Sequence, residues 1–351
     1  MTGEAKHCYA ILDMKVSASG SLAALSLGYE PEPGQSRVDI VVIDLKENRK
    51  VFEHKTISVL HLDWHPVYEK LMFVSVMNGL SAVDFTPGAP PVLTEGIIKH
   101  SIIFLELVRF SSSGKCAGYF LHNTALKQEE QLPLSEEISF KELLLSEEKS
   151  HLIFYEKGDI SGKIIDMGRA WTWLGDDEII FSRDCEIFIT NIIDGHTRKV
   201  INHERFIFDI LCVGKFVFVL SLDFDEFEFP EEGYGLFRLT PQTGEITPVK
   251  LDAAFSPRLA AAGDCLIIEM TEAKNRRLAR YCPESGEVKT FTPEESSCIL
   301  PSGTKENVFY LESYGESLYI CRSPLKGGQP SRLLDLRQLF TCDYITSAKT
   351  N

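Results

Sequence analysis

Four stretches of the 351-residue sequence hold side chains whose types and spacing could do chemistry. In EHKTISVLHLDWHP, His61, Asp63 and His65 alternate, so on a strand all three share one face. Two imidazoles and a carboxylate on one side make a sensible transition-metal ligand set. The bland alternative is a strand running into a turn at His65-Pro66, with its imidazoles hydrogen-bonded or solvated.

SLDFDEFEFPEEGYGLF is the most unusual stretch. Its carboxylates Asp223, Asp225, Glu226, Glu228, Glu231 and Glu232 are interleaved with Phe224, Phe227 and Phe229, and Tyr234 follows. Turn formers at Pro230 and Gly233 make it a projecting hairpin. Exposed rings among acids would suit a protein partner with a Lys- and Arg-rich surface. The run lacks the Asp-x-Asp-x-Asp-Gly order of a calcium loop. A basic turn downstream, with Lys274, Arg276, Arg277 and Arg280, could instead neutralise it within the molecule.

Trp171 and Trp173 share a strand face and could line a ligand pocket; packing between sheets is the competing role. GKCAG, Gly114 to Gly118, spaces Cys116 like a nucleophile elbow, but that motif needs a following helix, and YFLHN reads as strand. No phosphate loop, dinucleotide fingerprint or His-Glu-x-x-His is present, so no cofactor is expected.

The elements that must carry these residues are short strands. Runs of four to eight apolar, β-branched or aromatic residues recur between turn formers along nearly the whole chain. The clearest, among them LMFVS, EIIFS and FVFVL, return at roughly 40-residue intervals, the period of a four-stranded propeller blade. A lone sheet with two apolar faces cannot bury both, whereas blades around an axis cover each other.

GDDEIIFSRDCEIFITNIIDGHTRKVIN and, more loosely, WHPVYEKLMFVSVMNGLSAVDF resemble the units of TolB-type and WD-repeat-like β-propellers. The resemblance covers most of the chain and implies architecture. The expected fold is all-β: a single propeller of four-stranded antiparallel blades, seven in number, with eight as the alternative. Candidate blades are 8–55, 56–95, 97–135, a degenerate unit at 136–168, 169–203, 205–253, 255–294 and 296–336, with 337–351 as a tail. A pair of β-sandwich domains is the alternative fold.

Composition narrows the function classes. A net charge of −15 disfavours nucleic acid and anionic membrane as partners. No apolar run is long enough to span a bilayer. Nine dispersed cysteines, an odd number without a Cys-x-x-Cys pair, point to reduced thiols and a cytoplasmic setting. The expectation is a protein-binding or scaffolding propeller without catalytic activity. The alternatives are a small-ligand sensor, or a hydrolase or lyase using the axial channel.

Overall fold

The second strand of each unit dictates the architecture. Leu71 to Ser75, Ile179 to Ser182 and Val217 to Leu222 are buried on both faces, which a sheet achieves only when sandwiched between neighbours. The computed structural model describes residues 8–32, 35–56, 59–75, 79–98, 103–123, 150–156, 159–161, 170–183, 185–223, 233–272, 275–340 and 344–347. Their strands form seven sheets, each with four antiparallel strands laid down in chain order, and the first gains a fifth, parallel strand from residues 344–347. Blade 1 spans 8–56, blade 2 59–98, blade 3 103–161, blade 4 171–202, blade 5 206–248, blade 6 254–290 and blade 7 297–335.

The first strand of each blade is innermost: Cys8–Val16, Val59–Trp64, Ile103–Phe110, Trp171–Trp173, Phe206–Val213, Ala254–Ala262 and Ser297–Gly303. Each touches the first strand of the next blade, and the last touches the first, so the sheets stand as a closed ring. This is the expected propeller with seven blades and not a pair of sandwiches.

One boundary differs. The degenerate unit expected at 136–168 would take the apolar triplet Ile153-Phe154-Tyr155 as its second strand. The triplet belongs instead to Ser150–Glu156, the third strand of blade 3, which pairs with Cys116–Asn123 (Gly118 opposite Phe154). Asp159–Ser161 is that blade's outer strand, so 136–168 is not a separate blade. The stretch 124–149 lies outside the described residues.

Closure of the ring brings blade 7 against blade 1. Blade 7 is built from Ser297 to Asp335, whereas blade 1 takes four strands from residues 8–56 and a fifth, Tyr344–Ser347, from beyond blade 7. Side-chain packing forms much of the join: Ile11, Met14, Leu25 and Ile43 of blade 1 share one core with Ile299, Phe309, Leu311 and Ile320 of blade 7. A 3₁₀ turn, Leu336–Gln338, caps this core with buried Leu336. Across the seam the Val16 N–H donates to Ser302 Oγ at 2.8 Å. Beyond it, Tyr344–Ser347 lies parallel along the free edge of Cys8–Val16, with Ala10 opposite Thr346.

Candidate functional site

The inner wall is stitched by polar side chains. Neighbouring inner strands do not pair as a sheet, so their backbone groups must find other partners. Blade 2 supplies them from one face. The Val108 N–H donates to His61 Nδ1 at 3.4 Å, and the Phe110 N–H to Asp63 Oδ2 at 2.9 Å. His65 follows: its Nδ1 accepts from the Val67 and Tyr68 N–H groups at 3.1 and 3.0 Å, so Nε2 carries the proton and donates to the Gly114 carbonyl at 3.1 Å. Gly114 sits at φ +76°, and a Cβ there would lie 2.3 Å from the His65 ring. Only glycine allows that approach.

His61, Asp63 and His65 therefore do share a face, as the alternation predicts, but the face is turned onto the inner strand of blade 3. Among the described residues no group of three or more His, Cys, Asp or Glu is placed to hold a metal ion.

Arg109 occupies the middle of this wall. Its Nη2 pairs with Asp209 Oδ1 of blade 5 at 2.8 Å, and its Nη1 donates to the Ile210 carbonyl at 2.8 Å and to the Trp171 carbonyl. Trp173 returns the contact, its indole N–H donating to the Arg109 carbonyl at 3.0 Å. Trp64 does the same two blades earlier, to the Lys15 carbonyl at 3.0 Å. Trp171 and Trp173 are 0% and 5% exposed, with ring centroids 6.3 Å apart. They fill the space between blades and leave no indole face open.

Lys15 and Arg109 are close enough to bias the acid and base chemistry of His61 and Asp63. Burial, helped by these two cations, holds the His61 imidazole well below its usual range, so it is neutral at physiological pH. Burial pushes the Asp63 carboxyl up to about 6; its bond from Phe110 and the same cations oppose the shift. With Nδ1 accepting from Val108, neutral His61 carries its proton on Nε2 and has a donor to offer. The wall thus holds a carboxyl poised near neutrality, a neutral imidazole and two cations. Such a set can exchange protons and attract oxygen-rich, electron-bearing groups.

The acidic hairpin is described only at its ends. Asp223 pairs with Arg205 at 3.3 Å, and its N–H donates to the Gly233 carbonyl at 3.0 Å. Tyr234 packs edge-on against Phe208, centroids 5.4 Å apart. Phe224, Asp225, Glu226, Phe227, Glu228, Phe229, Glu231 and Glu232 lie outside the described residues. In the basic turn, Arg276 pairs with the fully buried Glu269 at 2.9 Å, and Arg277 with Glu294 at 3.3 Å. Arg280 donates to the Leu325 carbonyl of blade 7. Cys116 opens a strand and no helix follows it.

Lys15, Arg109 and Asp209 were not singled out in the sequence. Their signal was there once the units are superposed. LDM, LDW and FDI place Asp13, Asp63 and Asp209 on inner strands, each accepting the N–H of the next residue, at 2.8, 3.1 and 2.8 Å. Arg109 holds a similar place in VRF.

No protein-family model and no curated protein sequence matches the chain. Solved structures do. An acylaminoacyl peptidase of Pyrococcus horikoshii superposes with a TM-score of 0.65 at 12% identity, over 94% of this chain and 52% of that one. The propeller domain of the Trilobed protease from Pyrococcus furiosus, described as having an open velcro topology, gives 0.65 at 12%, over 95% and 98%. An oligogalacturonate lyase in complex with manganese gives 0.60 at 13%, over 87% and 86%. The chain spans about half the length of the peptidases it matches.

At such identities the likeness defines the fold, a β-propeller. It also corrects the expected function. A binding or scaffolding ring without catalytic activity was inferred from how often propellers serve that way. The structures to which this chain is similar are those of peptidases and a lyase, so that inference does not stand. No helix among the described residues is long and apolar enough to cross a membrane.

Proposed function

We propose that the chain is the propeller of a hydrolase or lyase whose substrate is handled at the inner wall by Lys15, His61, Asp63 and Arg109. The observation that carries this reading is the Asp63 carboxyl, raised to about 6 by burial beside a neutral imidazole and two cations. A carboxyl titrating there can take up and release a proton at neutral pH, as acid–base catalysis requires. The His61 Nε2–H is a donor for a carbonyl or a developing oxyanion. Lys15 adds positive charge on the same side, favouring substrates with carboxylate or carbonyl oxygens. Elimination and acyl transfer both draw on these functions.

The test is turnover by the purified chain on N-acylated aminoacyl nitroanilides and on oligogalacturonate, with Asp63→Asn as the decisive variant. Asparagine keeps the acceptor for Phe110 but cannot exchange the proton, so kcat should fall roughly 10²- to 10⁴-fold with the fold intact. Equal activity in the variant excludes Asp63 as the acid–base group.

A second reading places the reacting groups on another domain, with the ring admitting or sorting substrate. It is supported by the coverage, about half of each peptidase but 98% of the Trilobed protease propeller. Here the same compounds bind the chain without turnover.

A further inference from the structure

Cys265 opens the second strand of blade 6, Cys265–Glu272, and Cys282 closes the third, Asn275–Cys282. The register, Leu266 opposite Tyr281 and Thr271 opposite Arg276, sets the two cysteines directly across from each other. Cys265 also ends a two-residue turn, opposite Ala262 with Gly263 at φ +53°, so its own N–H and C=O face the first strand. The position across from Cys282 is then the non-hydrogen-bonded kind, in which Cα atoms lie about 4.5 Å apart and side chains approach most closely. That spacing falls within the range a disulfide spans.

From this geometry we infer that Cys265 and Cys282 are a thiol pair that closes reversibly into a cross-strand disulfide. Both are free thiols and only partly buried. Their chemistry is unequal in the useful sense. Hydrogen bonds from the Ser285 side chain and backbone hold the Cys282 thiol below its usual range, and the Gly286 N–H, bonded to the Cys282 carbonyl at 2.8 Å, fixes that turn. Burial pushes the Cys265 thiol up, and Cys282 is in direct contact with it. A thiolate-prone, accessible cysteine beside a resolving partner is the arrangement that oxidises selectively. Cys212 and Cys298 make the contrast: burial pushes their thiols up to about 12 and about 11.

With oxidised glutathione as the oxidant, the Cys282 thiolate attacks one glutathione sulfur, forms a mixed disulfide and expels glutathione thiolate. Cys265 then attacks the Cys282 sulfur, forms the protein disulfide and expels the second glutathione. Two protein thiols are oxidised, one glutathione disulfide is reduced, and the two thiol protons pass to the two glutathiones.

The test is incubation of the full chain in graded reduced and oxidised glutathione, with thiol counting and peptide mapping. Two thiols should disappear, the linked peptides should be those holding Cys265 and Cys282, and dithiothreitol should restore both. Cys265→Ser should trap a glutathione adduct on Cys282, and Cys282→Ser should abolish the loss. The proposal is overturned if both cysteines stay reduced in fully oxidised glutathione, if the linkage joins other cysteines, or if Cys265→Ser leaves Cys282 unmodified.

Discussion

Arg109 of blade 3 reaches past blade 4 and pairs with Asp209 of blade 5 at 2.8 Å, tying three blades with one side chain. The pair is only 15% and 30% exposed, and the guanidinium also satisfies the carbonyls of Trp171 and Ile210. Arg109→Ala should therefore cost about 3 kcal/mol in urea unfolding, because it strands a largely desolvated carboxylate and two carbonyls. Arg109→Lys should recover less than half of that, since an ammonium cannot serve three acceptors in fixed directions. Full recovery by lysine would reduce the interaction to bare charge.

Asp63 makes stability depend on pH with a sign opposite to that of most carboxylates. Its folded value, about 6, lies above the ordinary carboxylate range. Below pH ~4 both states are protonated and nothing is lost. Between about 4 and 6 the unfolded state ionises first, so the native state binds more protons and stability falls as pH rises. Above about 6 the loss is complete and constant, on the order of 3 kcal/mol. The difference in unfolding free energy between wild type and Asp63→Asn should show that slope in this window, and a flat difference would refute it.

The seam between blades 7 and 1 is carried by apolar contact, so it should be sensitive to a cavity. Phe309 is 2% exposed and packs in the core shared by the two blades. Phe309→Ala should cost about 3 to 5 kcal/mol. In hydrogen exchange, amides of Cys8–Val16 and Ser297–Gly303 should lose protection ahead of those in blade 4. Uniform loss round the ring would mean the seam is no weaker than other joins.

The architecture was legible because burying both faces of a strand leaves a mark in sequence: runs such as LMFVS have no polar side, and they return once per blade. The alternation of His61, Asp63 and His65 was also legible as one face. What sequence could not supply was the partner of that face, since the strand it meets begins some forty residues on and is joined to it only in three dimensions. Arg109 escaped notice for the same reason: a lone arginine in an apolar strand signals nothing until its carboxylate, a hundred residues away, is placed beside it. The blade 3 boundary failed because periodicity counts apolar runs and cannot tell a second strand from a third.

Each sheet, the Tyr344–Ser347 edge strand aside, is woven from one continuous length of chain. Strand pairing inside a blade therefore closes short loops, while meeting at the seam requires ends separated by nearly the whole sequence. The entropy of closure grows only logarithmically with that separation, so a chain that has already formed six blades faces a modest further cost. Closure leaves the four-stranded ladder of every blade as it was and adds one parallel pairing, Tyr344–Ser347 on Cys8–Val16. Assembly can proceed from either end, and the ring is sealed by docking finished sheets.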